Sequence, residues 1–318
     1  MVDPMKPAAR LEYQASIDRP RIALPEGKRV AVFIVVNVEN WEIERAMPRQ
    51  VLTAPQAASV LPDLPNWAWH EYGMRVGFWR LKAALDAHGI APSMTINGTV
   101  PAAYPRVTAA AREAGWEFVG HGWRQMATHL VEDQRAMIRA AIDALREAGG
   151  HEVVGWLAPG LTETFGTPDL LAEAGIRYCA DWVVDDLPCT IRTTHGPLLT
   201  MPYSVELNDI PIMMIQHHSA RELLDRTVAQ FDRLYAEAET QGAKVMGLAV
   251  HPYITGVPHR IGWFEQALAY LASRPGTLFW QGRQIMEWYL KAGGVNGPSG
   301  AHLERYDSGC QKDREYGV

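Results

Sequence analysis

From Val30 onward, the sequence alternates short runs of β-branched and other apolar residues with longer amphipathic segments. The first run, VAVFIVVNV, is apolar at nearly every position, which is typical of a strand buried on both faces of a parallel sheet. In the first amphipathic segment, Phe78, Leu81 and Leu85 share one helical face. This alternation predicts repeated βαβ units and therefore an α/β fold.

The alternation provides about seven strands, among them the apolar run at 212–215, without a second compositional regime. A single distorted, closed or nearly closed (β/α) barrel is therefore favoured over two domains. An open doubly wound sheet is the alternative, although the chain has no GxGxxG turn of the kind that places a dinucleotide.

Three boundaries follow from the pattern. Residues 1–29 contain four prolines and little periodicity, which predicts an N-terminal arm lying on the domain or on a neighbouring subunit. Residues 30–291 form the expected barrel domain, with a long Pro- and Trp-rich loop at 41–72 that we expect to be functional. The Gly-rich and charged segment 292–318 is expected to be a flexible tail.

The composition of the chain limits the classes of binding partner that we expect. The net charge of -6 includes no dense Lys/Arg cluster, so nucleic acid and anionic membranes are not expected partners, and a small-molecule substrate is. The longest apolar run is far shorter than the roughly 20 residues that cross a bilayer. No apolar stretch follows the first charges, so we expect a cytoplasmic protein. The three cysteines form no CxxC pair, which argues against a disulfide framework or a thiolate zinc site.

Polar residues follow almost every predicted strand. Reacting groups in α/β barrels come from the carboxyl ends of several strands, because the loops there converge on one mouth. A lone histidine at such a position is more often structural than catalytic. A carboxylate and two histidines at three separate strand ends are costly to desolvate without a purpose, so Glu39, His121 and His251 are the predicted catalytic residues.

Five local motifs lie at or near these strand ends: NVENWE (37–42), YGMRVGFWR (72–80), GHGWRQ (120–125), DWVVDDLP (181–188) and AVHPYITGVPHR (249–260). In this order they resemble the polysaccharide deacetylase, or NodB-homology, superfamily over residues 30–290. Within it, the chain looks most like the branch of metal-independent allantoinases and cyclic imide hydrolases. The resemblance implies a NodB-like barrel, hydrolysis of a small amide and, by analogy, a homo-oligomer.

The metal pattern of that superfamily is broken here. Its metal-dependent members hold a divalent ion with an Asp after the first strand and an HxxxH pair after the third. His121 matches the first histidine, but Gln125 stands four residues later and the next histidine is His129. An amide oxygen is a poor transition-metal ligand. The expectation is therefore no metal cofactor, with a Zn²⁺ site of Glu39, His121 and His129 as the alternative.

Amide hydrolysis needs a nucleophilic water, stabilisation of an oxyanion and a proton for the leaving nitrogen. We expect Glu39 to activate the water, His121 to hold the water or the oxyanion, and His251 to protonate the nitrogen. Asp181, Asp185 or Asp186 could orient a histidine, and tryptophans of the mouth loops could wall the pocket. The predicted substrate-binding residues are Asn37, Arg75, Trp123, Arg124, Gln125, Trp182 and Asp186.

Three functions remain open at this level. The leading one is a hydrolase of a cyclic imide, ureide or related small amide. The second is a metal-dependent deacetylase of an N-acetylated sugar or similar amide. The third is a catalytically inactive barrel that acts as a binding subunit, because loss of HxxxH could also mark decay of an active site.

Overall fold

A computed structural model describes residues 5–293 of the chain. Within that range the strands are β1 (Val30–Val38), β2 (Ser93–Ile96), β3 (Glu117–Gly120), β4 (Gly155–Trp156), β5 (Tyr178–Cys179), β6 (Thr190–Ile191), β7 (Leu198–Thr200), β8 (Lys244–Val250) and β9 (Thr277–Phe279). The α-helices are α1 (Pro7–Arg10), α2 (Leu64–Tyr72), α3 (Phe78–Asp86), α4 (Val100–Ala103), α5 (Pro105–Glu113), α6 (Gln134–Gly149), α7 (Thr167–Glu173), α8 (Arg221–Gln241), α9 (Pro258–Ala272) and α10 (Gly282–Lys291).

The strands form one nine-stranded sheet in the order β6-β7-β5-β4-β3-β2-β1-β8, and β9 pairs with the start of β1. Every pairing is parallel except that of β6 with β7. All nine residues of β1 are buried, as expected of a central strand covered on both faces. The predicted α/β fold is therefore confirmed.

The sheet is not closed into a complete barrel, because β7 and β8 do not pair. An irregular segment lies in the gap, where the amide of Ala249 donates to the carbonyl of Leu207 at 2.9 Å. At the other end of β8, the amide of Val245 donates to the carbonyl of Asp186 at 2.9 Å. These contacts satisfy the outer edge of β8 without a regular strand.

The helices bury one face each against the sheet. In α6, Asp133 caps the N-terminus by accepting from the amide of Ala136, and Gly150 ends the helix at a φ of 73°. The buried face of α6 includes Ile138 and Leu145. Truncating a buried leucine of this kind to alanine costs about 2–5 kcal/mol.

Two predicted elements need correction. Residues 212–215 were expected to form a strand, but they lie in the helical turn Ile210–Ile215. A short apolar run fits a strand or a buried helical turn equally well, and Pro211 occupies the first turn here. The expected loop at 41–72 contains α2, which continues through the π-helical turn Gly73–Gly77 into α3. The strand number of about seven is also too low.

Residues 5–29 are built from short helical turns rather than regular elements. Arg10 anchors them to the domain: its side chain is 1% exposed and forms an ion pair with Asp169. It also donates to the carbonyls of Phe165 at 2.7 Å and Arg192 at 2.8 Å.

The predicted tail lies outside the described residues from position 294 onward. Among residues 5–293, no helix combines the length and apolar character needed to cross a membrane.

Candidate active site

Glu39 follows β1 directly, and its side chain is only 2% exposed. Each carboxylate oxygen accepts a hydrogen bond from an uncharged donor. The indole nitrogen of Trp41 donates to Oε2 at 2.6 Å, and Nε2 of Gln125 donates to Oε1 at 2.9 Å. Such donors fix the orientation of the carboxylate without a cation to neutralise it.

His121 follows β3 and is 3% exposed. Its Nδ1 lies 2.5 Å from the carbonyl oxygen of Leu157, which can only accept, so the proton is assigned to Nδ1 and the lone pair to Nε2. Burial lowers the pKa of His121, and the negative charge of Glu39 opposes this effect in part. A neutral His121 can therefore accept a hydrogen bond through Nε2 but cannot donate one there.

His251 follows β8, and Asp209 holds its ring. Nδ1 of His251 lies 2.6 Å from Oδ1 of Asp209, and the backbone amide of the same histidine donates to Oδ2 at 2.7 Å. The hydroxyl of Thr255 also donates to Oδ2 at 2.6 Å. Asp209 is fully buried. A carboxylate in this position fixes the tautomer and orientation of an imidazole and stabilises its protonated form.

The three predicted catalytic residues lie together at the carboxyl ends of β1, β3 and β8. Nε2 of His251 is 3.6 Å from Oε1 of Glu39. Burial lowers the pKa of His121, and among the nearby charges that of Glu39 raises it and that of His251 lowers it. Because parallel strands end at the same edge, the fold brings them together from positions more than two hundred residues apart.

Side-chain amides form hydrogen bonds with Glu39 and with the backbone of His121. The side chain of Asn97 donates to Oε1 of Gln125 at 3.3 Å and to the carbonyl of His121, so the amide of Gln125 is oriented with its nitrogen toward Glu39.

Asn37 donates to Tyr203 at 3.2 Å and accepts from Thr95 at 2.7 Å. The amide of Asn37, predicted to bind substrate, is therefore engaged within the protein.

Aromatic side chains pack behind Glu39. The ring of His70 stacks on Trp41 with the centroids 4.7 Å apart, and its Nε2 lies 3.0 Å from the backbone carbonyl of Glu39. Burial lowers the pKa of His70 to about 4. Tyr253 packs edge-to-face against Trp41 at 5.1 Å and Trp69 at 4.8 Å, and its hydroxyl lies 3.5 Å from Oε2 of Glu39.

Besides Gln125, two predicted substrate residues lie on the loop that follows His121. Arg124 donates to Glu42 at 2.9 Å, and Trp123 packs over Gly98, where an added Cβ would lie 2.6 Å from the indole ring. Both residues line a cavity of about 430 Å³ beside the mouth.

Trp182 lies farther along the mouth and donates to Glu163 at 2.8 Å. Asp181 accepts from the amide of Ala158 at 2.8 Å, and burial raises the pKa of its carboxyl group well above the usual value. The structure thus gives Asp181 a backbone partner rather than a histidine.

Arg75 is exposed on the π-helical turn, and its role in substrate binding stays a prediction. Another predicted substrate residue, Asp186, is not brought to the site. Asp186 lies beside the amino end of β8, where its carboxylate is 3.5 Å from Nζ of Lys244. That position is about 20 Å along the strand from His251. After β5 the chain leaves the mouth to cover the edge of β8, so Asp186 cannot reach a substrate at Glu39. Asp185 pairs with Arg19 and is likewise not placed against a histidine.

The donor set does not fit the alternative zinc site. His129 is exposed on the turn Thr128–Leu130. Among residues 5–293, the group of three potential ligands whose atoms lie within 4.8 Å of one another is Glu163, Cys179 and Asp181, and not the predicted trio. Both oxygens of Glu39 already accept hydrogen bonds from Trp41 and Gln125.

The sequence reasoning missed two residues of the site, Asp209 and Tyr253. Asp209 lies just before the apolar run at 212–215, and nothing in its local sequence distinguishes it. Tyr253 lies two residues after His251, so the same strand end could have drawn attention to it.

No protein-family model matches the chain. A protein of Schizosaccharomyces pombe with the provisional name polysaccharide deacetylase is 24% identical over 299 residues, covering 84% of this chain and 92% of its own length. The crystal structure of a similarly named protein from Pseudomonas aeruginosa PAO1 is 26% identical, with a TM-score of 0.77 over 86% of this chain and 95% of that one. Puue allantoinase is 23% identical, with a TM-score of 0.75 over 87% and 94% of the two chains. The chain is thus similar in sequence and fold to proteins with the provisional name polysaccharide deacetylase, and similar in fold to an allantoinase.

Proposed function

We propose that the protein hydrolyses a carbon–nitrogen bond of a cyclic imide, a ureide or a related small amide, without an essential metal ion. The broader statement, a hydrolase of carbon–nitrogen bonds other than peptide bonds, is what the matches to polysaccharide deacetylases and to an allantoinase indicate. The observation that carries the proposal is the contact of Glu39 with His251, 3.6 Å apart, with Asp209 behind the imidazole.

In the proposed reaction, Glu39 takes a proton from water as the water oxygen bonds to the carbonyl carbon. His121 accepts a hydrogen bond from that water through Nε2, which the contact of Nδ1 with Leu157 leaves as the acceptor. His251, held by Asp209, gives its Nε2 proton to the leaving nitrogen as the carbon–nitrogen bond breaks. Protonated Glu39 then returns the proton to His251 across the 3.6 Å gap.

The metal-independent part of the proposal rests on Gln125. Its amide stands where a second histidine of HxxxH would be and donates to Glu39 at 2.9 Å. Zinc sites use three protein ligands even when catalytic. The exposed His129 does not supply the third one.

A metal-dependent deacetylase of an N-acetylated sugar is the second candidate. The names of the relatives from Schizosaccharomyces pombe and Pseudomonas aeruginosa favour it. We rank it lower because the position of Gln125 disfavours a three-ligand site in this chain.

The test is turnover of a panel of cyclic imides, ureides and N-acetyl compounds, before and after treatment with a chelator, together with metal analysis of the purified protein. We expect ring opening that resists chelation. Activity that disappears with the chelator and returns with Zn²⁺ would establish the deacetylase-type site instead.

Variants of matched size assign the residues. Glu39→Gln removes the base and His251→Gln the acid, and each should lower kcat by about 10²–10⁴. His129→Gln is the control: the metal-free site predicts wild-type kcat, whereas a zinc site through His129 predicts loss. A wild type inactive on the whole panel would favour the binding-subunit function, and unchanged turnover in both Glu39→Gln and His251→Gln would refute the site.

A further inference from the structure

The proposed reaction lacks one component, a donor for the oxyanion. Trp41 and Gln125 already donate to Glu39. His121 is protonated on Nδ1, which faces Leu157, so its Nε2 accepts. His251 must keep its Nε2 proton for the leaving nitrogen. An oxyanion without a hydrogen-bond donor would forfeit what is often the largest single contribution to such catalysis.

The hydroxyl of Tyr253 is a donor in the right place. It lies 3.5 Å from Oε2 of Glu39, so this hydrogen bond is longer than those that Trp41 and Gln125 donate to the same carboxylate. A long bond is weak, and Glu39 would still keep Trp41 on the same oxygen if the hydroxyl turned to a substrate. Turning the Tyr253 hydroxyl from Glu39 to a substrate therefore costs little free energy.

The ring of Tyr253 is fixed by its neighbours. The side chain is 1% exposed and packs against Trp41, Trp69 and His251, with ring centroids 5.1, 4.8 and 5.6 Å away. A donor held by packing in this way needs no reorganisation when charge develops beside it.

We propose that the hydroxyl of Tyr253 donates a hydrogen bond to the oxyanion of the hydrolysis proposed above, on which this inference rests. As the water oxygen bonds to the carbonyl carbon, the carbonyl π pair moves onto oxygen and receives the hydrogen bond from Tyr253. The pair returns to the carbonyl when the carbon–nitrogen bond breaks, with nitrogen taking the proton from His251. Tyr253 keeps its proton throughout, and burial, by raising the pKa of Tyr253 well above its usual value, supports this.

The experiment compares Tyr253→Phe with Tyr178→Phe. Tyr178 is the matched control because its hydroxyl is also buried and donates to a carboxylate, Glu117, at 3.0 Å, but at the opposite end of the sheet. We expect Tyr253→Phe to lower kcat by about 10²–10³ with KM changed less than about threefold, as when an oxyanion donor is removed. Tyr178→Phe should lower only thermal stability. A kcat within threefold of wild type in folded Tyr253→Phe would refute the role.

A binding measurement serves as an independent readout. Phenylboronate adds hydroxide to form a tetrahedral anion, so its Kd should rise at least tenfold in Tyr253→Phe and stay unchanged in Tyr178→Phe. Tyr253-dependent boronate binding without turnover of any amide would refute the proposed function alone. Equal boronate affinity in wild type and Tyr253→Phe, or none in either, would overturn the inference.

Discussion

The side chain of Gln125 donates a 2.9 Å hydrogen bond to Oε1 of Glu39, the same oxygen that lies 3.6 Å from Nε2 of His251. Gln125 is in turn oriented by Asn97. An uncharged donor thus stands beside the proposed base, where it holds the carboxylate without competing for the water proton. A substitution at Gln125 tests the Glu39 side of the contact between Glu39 and His251, and a substitution at Asp209 tests the His251 side.

Replacing Gln125 by Glu tests the need for a neutral donor. The new carboxylate would stand at hydrogen-bond distance from Glu39, and two like charges so close make full ionisation of the pair unfavourable. We expect kcat/KM to fall about 10–100-fold at neutral pH and the acid limb of its pH profile to move to higher pH. An unshifted acid limb would show that Glu39 is not the group that must be ionised, and Gln134→Glu, on the first turn of α6, is the control.

Asp209→Asn tests the orientation of His251. An amide can present its NH₂ group to Nδ1 and so favour the wrong tautomer, and it no longer stabilises the imidazolium. We expect kcat to fall roughly 10³–10⁴-fold, as at comparable Asp–His pairs. Steady-state kinetics on the folded variant would check this, with the exposed Asp143→Asn as control. A loss of less than tenfold would assign Asp209 a purely structural role.

How far the sequence predicts this site depends on where each residue lies relative to a strand. Glu39, His121 and His251 directly follow apolar strands, and parallel strands end at one edge, so the strand pattern alone is enough to predict their proximity. Asp209 could not be found in this way. It lies in an irregular segment beside β8, and only the tertiary arrangement brings it to His251.

The predictions that the structure contradicts fail for the same reason, because they also depend on the tertiary arrangement. The apolar run at 212–215 fits a strand or a helical turn equally well by composition, and packing decides between them. Asp186 shares a motif with Asp181, but the chain between them leaves the mouth to satisfy the backbone of Val245. The local sequence does not show where the chain passes from one end of the sheet to the other.

The stability of the fold should depend on His70 at acid pH. Its pKa is lowered to about 4 by burial, whereas in the unfolded chain it is near 6.5. Between these values the unfolded state binds the proton first, so stability is complete above about pH 6.5 and falls as pH drops toward 4. The difference corresponds to roughly 3 kcal/mol.

Urea unfolding at pH 7 and pH 4 would measure this effect. The wild type should lose more free energy of unfolding over that interval than His70→Gln, because the variant has no imidazole to protonate. His88→Gln, at an exposed position, should behave as wild type. Identical losses in wild type and His70→Gln would show that His70 does not titrate as burial predicts.

Arg10→Met should destabilise the protein without altering the reaction. The methionine keeps the buried volume but leaves Asp169 and the carbonyls of Phe165 and Arg192 without their donor. Removing one partner of a buried ion pair costs about 3–5 kcal/mol, and the partial exposure of Asp169 brings the expected loss to about 2–4 kcal/mol. Arg233→Met breaks an exposed pair with Glu237 and should cost less than about 1 kcal/mol. The urea unfolding midpoint and kcat of both variants would be measured. Equal midpoints would mean that the arm is not anchored through Arg10. A lower kcat in folded Arg10→Met would mean that the arm also shapes the mouth.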